Sequence, residues 1–334
     1  MKKWLLFALK LVLTAACLWW ALRGENFRDS ILARPSELGW QWLVPGIALA
    51  GVTVFLTALR LWLLLAAAGV RVSLWRATEL TLIGNLFNLA AVGGLGGDAA
   101  RIILLIRDHP ERKMAVTMTV MFDHLVGFVA MALVFFMLTA GRFDALASQS
   151  VETKAIMRFA WVFFIGGMLF VTTLFVLSYP SVHARIHGRA KEGRFAFLRR
   201  FPEIYDMYRK DWPRALTSLL VAIVMLPIFY ATTWCGARAA GSEVGLEPVL
   251  VAMPVSDMLG ALPLSIAGLG VREASLKVLM EDLTGMAPDI AVAAGLIGFF
   301  CSLVWALVGG LLFLNPRDRV KVSEIKELNA GSHV

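Results

Sequence analysis

Cysteine, tyrosine and histidine are scarce, at three, four and five residues in 334. Cys17, Cys235 and Cys301 all lie in apolar runs without metal-ligand spacing, so they read as small buried hydrophobes, not as a disulfide or zinc framework. His109, His124, His183 and His187 are the candidate histidine bases, with His333 in the tail. No His-x-x-x-His or Asp-x-x-Asp spacing has a partner in the glycine-rich segments described below. A nucleophile elbow and a phosphate-loop lysine are also missing. Neither a catalytic motif nor a cofactor or metal site is therefore expected. Charge is sparse too: 17% of residues, against about 25% in soluble domains.

What fills the chain is apolar sequence. The hydrophobic share is 59% and the mean hydropathy +0.73, and several windows exceed the roughly 20 residues that span a bilayer. The formal charge of +8 gathers in short loops between these windows, which is the positive-inside pattern and not a nucleic-acid footprint. The expected fold is all-α: a polytopic helical membrane protein with about six through-spans plus two glycine-broken re-entrant segments related as an inverted repeat.

The first broken segment carries the chemistry. Asn85 to Arg101 reads Asn-Leu-Phe-Asn-Leu-Ala-Ala-Val-Gly-Gly-Leu-Gly-Gly-Asp-Ala-Ala-Arg. Glycine weakens a helix and a carboxylate is expensive in hydrocarbon, so a lipid-facing helix would not take this sequence. Irregular backbone at membrane depth survives inside protein or beside a water-filled cavity. A second copy runs from Leu262 to Ser275, where Gly268-Leu269-Gly270 aligns with Gly94-Leu95-Gly96 and Arg272 falls opposite Asp98. Paired glycine or proline interruptions at matching places in two halves are the sequence pointer to a transporter binding site.

The spans are read at residues 4–22, 40–69, 114–140, 159–179, 215–237 and 290–314, with broken segments at 77–106 and 248–283. Residues 1–315 form one transmembrane domain, with repeat halves at about 40–140 and 215–314. A polar cytoplasmic tail follows at 316–334. Arg60 reads as snorkelling to the interface, the alternative being an anion contact. Asp123-His124 falls about ten residues into its span, near mid-bilayer, as a pathway residue or an internal packing pair. The segment 141–158 reads as a mixed external loop. Residues 180–214 interleave nine basic residues with Phe195, Phe197, Phe201, Tyr205, Tyr208 and Trp212, the pattern of an amphipathic element on an anionic cytoplasmic leaflet. Both termini are expected in the cytoplasm. Gly166-Gly167 and Gly309-Gly310 can pack helices closely, within one chain or in a homo-oligomer.

Asn85, Asn88, Gly96, Gly97, Asp98 and Arg101, then Asp123, then Pro263 to Glu273 (Pro-Leu-Ser-Ile-Ala-Gly-Leu-Gly-Val-Arg-Glu), resemble the lysylphosphatidylglycerol synthase transmembrane family, over about residues 5 to 315. The resemblance implies a flippase-like membrane domain in a bacterial inner membrane. Synthase activity is not expected, because only the polar tail follows Leu314. Ala90-Ala91 stands where family members often have proline, and His124 follows Asp123 where arginine is common.

The candidate substrate-binding residues are Asn85, Asn88, Gly94, Gly96, Gly97, Asp98, Arg101, Asp123, Asp257, Ser265, Gly268, Gly270, Arg272 and Glu273. Arg101 and Arg272 suit a lipid phosphate, and the carboxylates suit an amine or protons. The alternative is that these charges only neutralise one another. The expected function is lipid transport between leaflets, of a phospholipid or isoprenoid-type lipid with an anionic or phosphate-bearing headgroup. The other readings are a membrane enzyme on a lipid headgroup and a non-transporting partner of a lipid-modifying complex.

Overall fold

The computed structural model describes residues 35–90, 96–142, 150–179, 208–261, 268 and 270–315. They form nine α-helices and no strand: α1 (Leu43–Ala67), α2 (Leu74–Ala90), α3 (Gly96–Asp108), α4 (Lys113–Thr139), α5 (Val151–Ser178), α6 (Trp212–Ala239), α7 (Leu246–Ala261), α8 (Val271–Thr284) and α9 (Pro288–Phe313). Five of them, α1, α4, α5, α6 and α9, are long and apolar enough to cross a membrane. The first expected span, residues 4–22, lies outside the described residues, as do most of the basic loop and the tail.

Each broken segment is a pair of short helices, about 20–25 Å long each at 1.5 Å per residue. In the first pair, Arg76 at the start of α2 donates to Asp108 at the end of α3, 2.8 Å away, and Gly84 of α2 lies against Gly97 of α3. The pair is therefore an antiparallel hairpin that brings the chain back to the end at which it entered. In the second pair, Gly268 sits against the Gly260 carbonyl with φ +74°. The left-handed backbone and the missing Cβ both require glycine there.

The order long–short–short–long occurs twice, and the internal details repeat at one constant offset. Trp62 Nε1 donates to the Val72 carbonyl at 2.8 Å, and Trp234 Nε1 to the Val244 carbonyl at 2.9 Å. Gly69 and Gly241 end α1 and α6 with φ of +75° and +87°. The two equivalent helices, α1 and α6, pack along their lengths in opposite directions. The Gly39 N–H donates to the Ala239 carbonyl at 2.8 Å, Gly46 meets Cys235, and the Thr57 hydroxyl donates to Met225 Sδ at 3.1 Å. The packing pattern is two-fold as well: α2 lies on α9 as α7 lies on α4, and α1 touches α9 as α6 touches α4.

Between helices in lipid the hydrophobic effect gives little, so close packing and polar contacts do the holding. Gly309 of α9 lies on the backbone of Leu82 and Gly167 of α5 on the Phe128 ring, both contacts within one chain. Helix α5 stands at the periphery and leaves Val162, Leu169, Phe170 and Val176 exposed, an apolar face suited to acyl chains.

Three sequence expectations change. Arg60 does not snorkel: it is buried and paired with Asp123. Helix α5 begins at Val151, not Phe159, because Ser150 caps it by accepting from the Thr153 N–H at 3.2 Å, so its polar first turns belong to the helix. Tyr208 is no surface aromatic; its ring stacks on Phe122 at 4.0 Å and its hydroxyl donates to Thr119 at 3.2 Å.

Ser150 also bonds Asp282 at the end of α8 through both its hydroxyl and its backbone N–H, and these hydrogen bonds hold the Asp282 carboxyl below its usual value. A depressed carboxylate adds stability that is present above its ordinary pKa and lost as pH falls through the folded value. Ser150→Ala is expected to cost about 1 kcal/mol at neutral pH through the lost cap. It should also weaken the acid dependence expected of wild type below about pH 4. Thermal unfolding in detergent from neutral pH to pH 3 checks both; an unchanged acid limb would remove Asp282 from the account.

Candidate functional site

A cavity of about 520 Å³ lies where the turn ends of both hairpins meet the middles of α1, α6 and α9. Its polar wall is Asn85 and Asn88 from α2, Asp257 from α7 and Arg272 from α8, joined by Thr53, Thr57 and Ser302. Met225, Phe229, Phe299 and Leu303 supply the apolar part. Asn85 and Asp257 stand at the same offset as the Trp62 and Trp234 pair, so the two repeats place equivalent positions on the cavity wall.

The second repeat contributes a charged group of three. Arg272 donates from Nη2 to the Gly295 carbonyl at 3.0 Å, lies 3.2 Å from Glu273, and approaches Asp257 only to 4.0 Å. Glu273 has no exposed surface, and its Oε2 accepts from the Gly270 N–H at 2.7 Å, capping α8. Glu273 thus fixes the helix start and the guanidinium, while Asp257 and Arg272 face the cavity. With both acids ionised the group carries one net negative charge.

The first repeat gathers a larger cluster. Arg60 and Asp123 form a two-pronged ion pair at 2.7 and 2.8 Å, with side chains 10% and 5% exposed. Asp98, in the first turn of α3, bonds His124 Nε2 at 2.7 Å and lies 3.5 Å from Arg101. Arg101 is buried and reaches Asn85 Oδ1 at 3.4 Å, and its side chain lies close over Gly84. The Gly97 N–H donates to Asn88 Oδ1 at 2.8 Å, closing the hairpin.

Of the fourteen residues singled out by sequence, Asn85, Asn88, Asp257, Gly268 and Arg272 line the cavity. Asp98 and Arg101 stand behind it, linked through Asn85. Asp123 is occupied by Arg60. Gly96 and Gly97 begin α3, and Gly270 and Glu273 begin α8. Gly94 and Ser265 lie outside the described residues. Sequence reading missed Arg60 as a partner; the signal was an arginine well inside an apolar run with an equally isolated aspartate elsewhere. It also missed Thr53, Thr57 and Ser302, which nothing in their local sequence marks. Among the described residues, no group of three or more His, Cys, Asp or Glu side chains is arranged to hold a metal ion.

A match to a known family agrees with a polytopic membrane architecture. The family described as "Lysylphosphatidylglycerol synthase TM region" matches residues 7–310. A comparison with curated proteins gives no match. With five membrane-length helices among the described residues and a family match over most of its length, the chain is an integral membrane protein and belongs to the lysylphosphatidylglycerol synthase transmembrane family, whose character is flippase-like.

Proposed function

We propose that the chain moves a lipid between leaflets, passing the headgroup through the cavity between the two hairpins. The observation that carries this reading is the cavity itself, a mostly apolar space with a few convergent polar groups, built from equivalent positions of two oppositely running repeats. A headgroup must cross roughly 30 Å of hydrocarbon, and substrate sites at the interface of inverted repeats are the recurring solution. The hairpins then enter from opposite faces and turn inside the membrane. Arg71, Arg76, Arg107, Arg112 and Lys113 cluster around the ends of the first hairpin, which supports a cytoplasmic entry for it. A bacterial inner membrane with both termini cytoplasmic completes the reading.

The substrate is a lipid with a phosphate in its headgroup. Arg272 is bound to Gly295 and Glu273 but held loosely by Asp257 at 4.0 Å. A phosphate takes the Asp257 place on the guanidinium, and Asp257 then faces whatever donor the headgroup offers. Asn85 and Asn88 supply hydrogen bonds, and the acyl chains stay in lipid. No bond is made or broken in this scheme, so the protein acts as a transporter and not as an enzyme.

Leaflet exchange of headgroup-labelled phosphatidylglycerol and phosphatidylethanolamine in proteoliposomes tests it. Hydrogen bonds to charged groups are worth about 1.5–3 kcal/mol, so Arg272→Gln and Asp257→Asn are expected to slow exchange by about ten- to a hundredfold at equal insertion. Wild type that moves no lipid of either class, or headgroup turnover by the pure protein, would overturn the proposal.

A further inference from the structure

The Asp98–His124 pair has no part in holding the headgroup, and its surroundings give it another role. The His124 side chain is 61% exposed, whereas Asp98 is 12% exposed. They meet through His124 Nε2 and Asp98 Oδ2 at 2.7 Å. The charges that face His124 are Asp98 and Arg101 from α3 and Asp123 on its own helix, with Arg60 of α1 behind Asp123. These four sum to zero: two arginines and two carboxylates. The imidazole is therefore the one titratable member not needed for neutrality. With Nε2–H given to ionised Asp98, the free lone pair is on Nδ1, and an arriving proton binds there.

Asp98 has a second suitor. Arg101 lies 3.5 Å away, its Nε is buried with no partner among the described residues, and its other contact is Asn85 Oδ1 at a long 3.4 Å. Asn85 is cavity wall. A polar chain thus runs from an exposed imidazole through Asp98 and Arg101 to the place where the headgroup sits. A proton on His124 draws Asp98 toward imidazolium and releases Arg101 toward Asn85 and the cavity. Loss of the proton returns Asp98 to Arg101. Such coupling is reciprocal: whatever occupies Arg101 or Asn85 changes the proton affinity of His124.

We infer that His124 and Asp98 form a proton-binding site whose occupancy is read at the cavity wall through Arg101 and Asn85, making the proton the coupling ion. This rests on the transport reading above for its purpose, but not for its detection. The test uses the full chain labelled with ¹⁵N-histidine in nanodiscs of phosphatidylcholine and phosphatidylglycerol, His124 being assigned by its absence in His124→Gln. The expected spectrum at high pH is the Nε2-protonated tautomer. The midpoint is expected to move by about one pH unit or more in Asp98→Asn. It should also move in Asn85→Leu, which leaves Arg101 no acceptor but Asp98 among the described residues. An Nδ1-protonated tautomer, or a midpoint unmoved by Asp98→Asn, would overturn the site; a midpoint unmoved by Asn85→Leu would overturn its link to the cavity.

The same variants then enter the leaflet-exchange assay with labelled phosphatidylglycerol. Wild-type rates are expected to change about tenfold across the His124 titration and His124→Gln rates to be flat; a His124→Gln profile that follows wild type would refute proton coupling. If wild type moves no lipid at any pH, the transport reading falls and coupling falls with it, while the tautomer and the two midpoints still decide the proton site.

Discussion

Arg60→Met is expected to destabilise this protein by about 3–5 kcal/mol, and Asp123→Leu to do the same, while the double variant Arg60→Met/Asp123→Leu should recover most of the loss. The pair is nearly sealed, with side chains 10% and 5% exposed, and both nitrogens of the fork are used. Removing one partner leaves the other ionised where water cannot reach it, or forces it to neutralise. Removing both leaves two apolar side chains of similar volume and takes no net charge from the cluster with Asp98 and Arg101. Gly127 lies against the guanidinium, so methionine, flexible and unbranched, fits the vacated slot. Apparent Tm in detergent and the yield of monodisperse protein are the measurements. Equal stability of Arg60→Met and wild type would show that the pair is open to water. The double variant also separates two views of Asp123. A stable double variant that still transports makes Asp123 a packing residue; a stable one that does not transport returns it to the substrate path.

Much of this architecture was legible in the sequence, and the reasons differ by element. The long spans declare themselves because lipid demands unbroken apolar runs. The two breaks declare themselves because glycine and charge are both unfavourable there unless protein surrounds them. Basic residues on both flanks of the first pointed to a re-entrant segment or a pair of half-helices, and the structure has a pair of short antiparallel helices there. The partners did not follow. Arg60, Asp123, Asp98 and His124 come from three helices, and a single sequence places ionisable residues at depth without saying which face each presents. Snorkelling was the reasonable reading of Arg60 only so long as Asp123 had no position. The repeat was legible in part. Gly94-Leu95-Gly96 and Gly268-Leu269-Gly270 mark it, but the better register is Trp62, Gly69 and Val72 against Trp234, Gly241 and Val244. That spacing is present in the sequence, but none of these six residues carries charge or belongs to a glycine cluster that would single it out. The cavity required the fold, since its walls come from six helices and two of its hydroxyls, Thr53 and Thr57, otherwise look like ordinary span residues that bond their own backbone.

The largest effect of a small change is expected at Gly97. A Cβ built there would strike the Gly84 carbonyl oxygen of the facing helix and lie 2.6 Å from Asn88 Oδ1. That amide oxygen accepts from the Gly97 N–H at 2.8 Å. One obstacle is backbone and the other holds the hairpin closed, so neither yields cheaply. Gly97→Val is expected to open the α2–α3 hairpin, cost more than about 3 kcal/mol through overpacking and the broken buried hydrogen bond, and abolish lipid exchange, because Asn85 and Asn88 leave the cavity wall with α2. Two comparisons fix the cause. Gly84→Ala presses on the Arg101 side chain at 2.5 Å; a long side chain can swing aside, so the loss should be smaller and should appear mainly in the His124 titration, through Arg101 and Asp98. Gly166→Ala in α5 meets nothing within 4 Å, and in a helix interior it should be neutral or stabilising by up to about 1 kcal/mol. If Gly97→Val matched Gly166→Ala in apparent Tm, the two hairpin helices could not be as close as this packing requires, and the cavity wall would have to be assembled some other way.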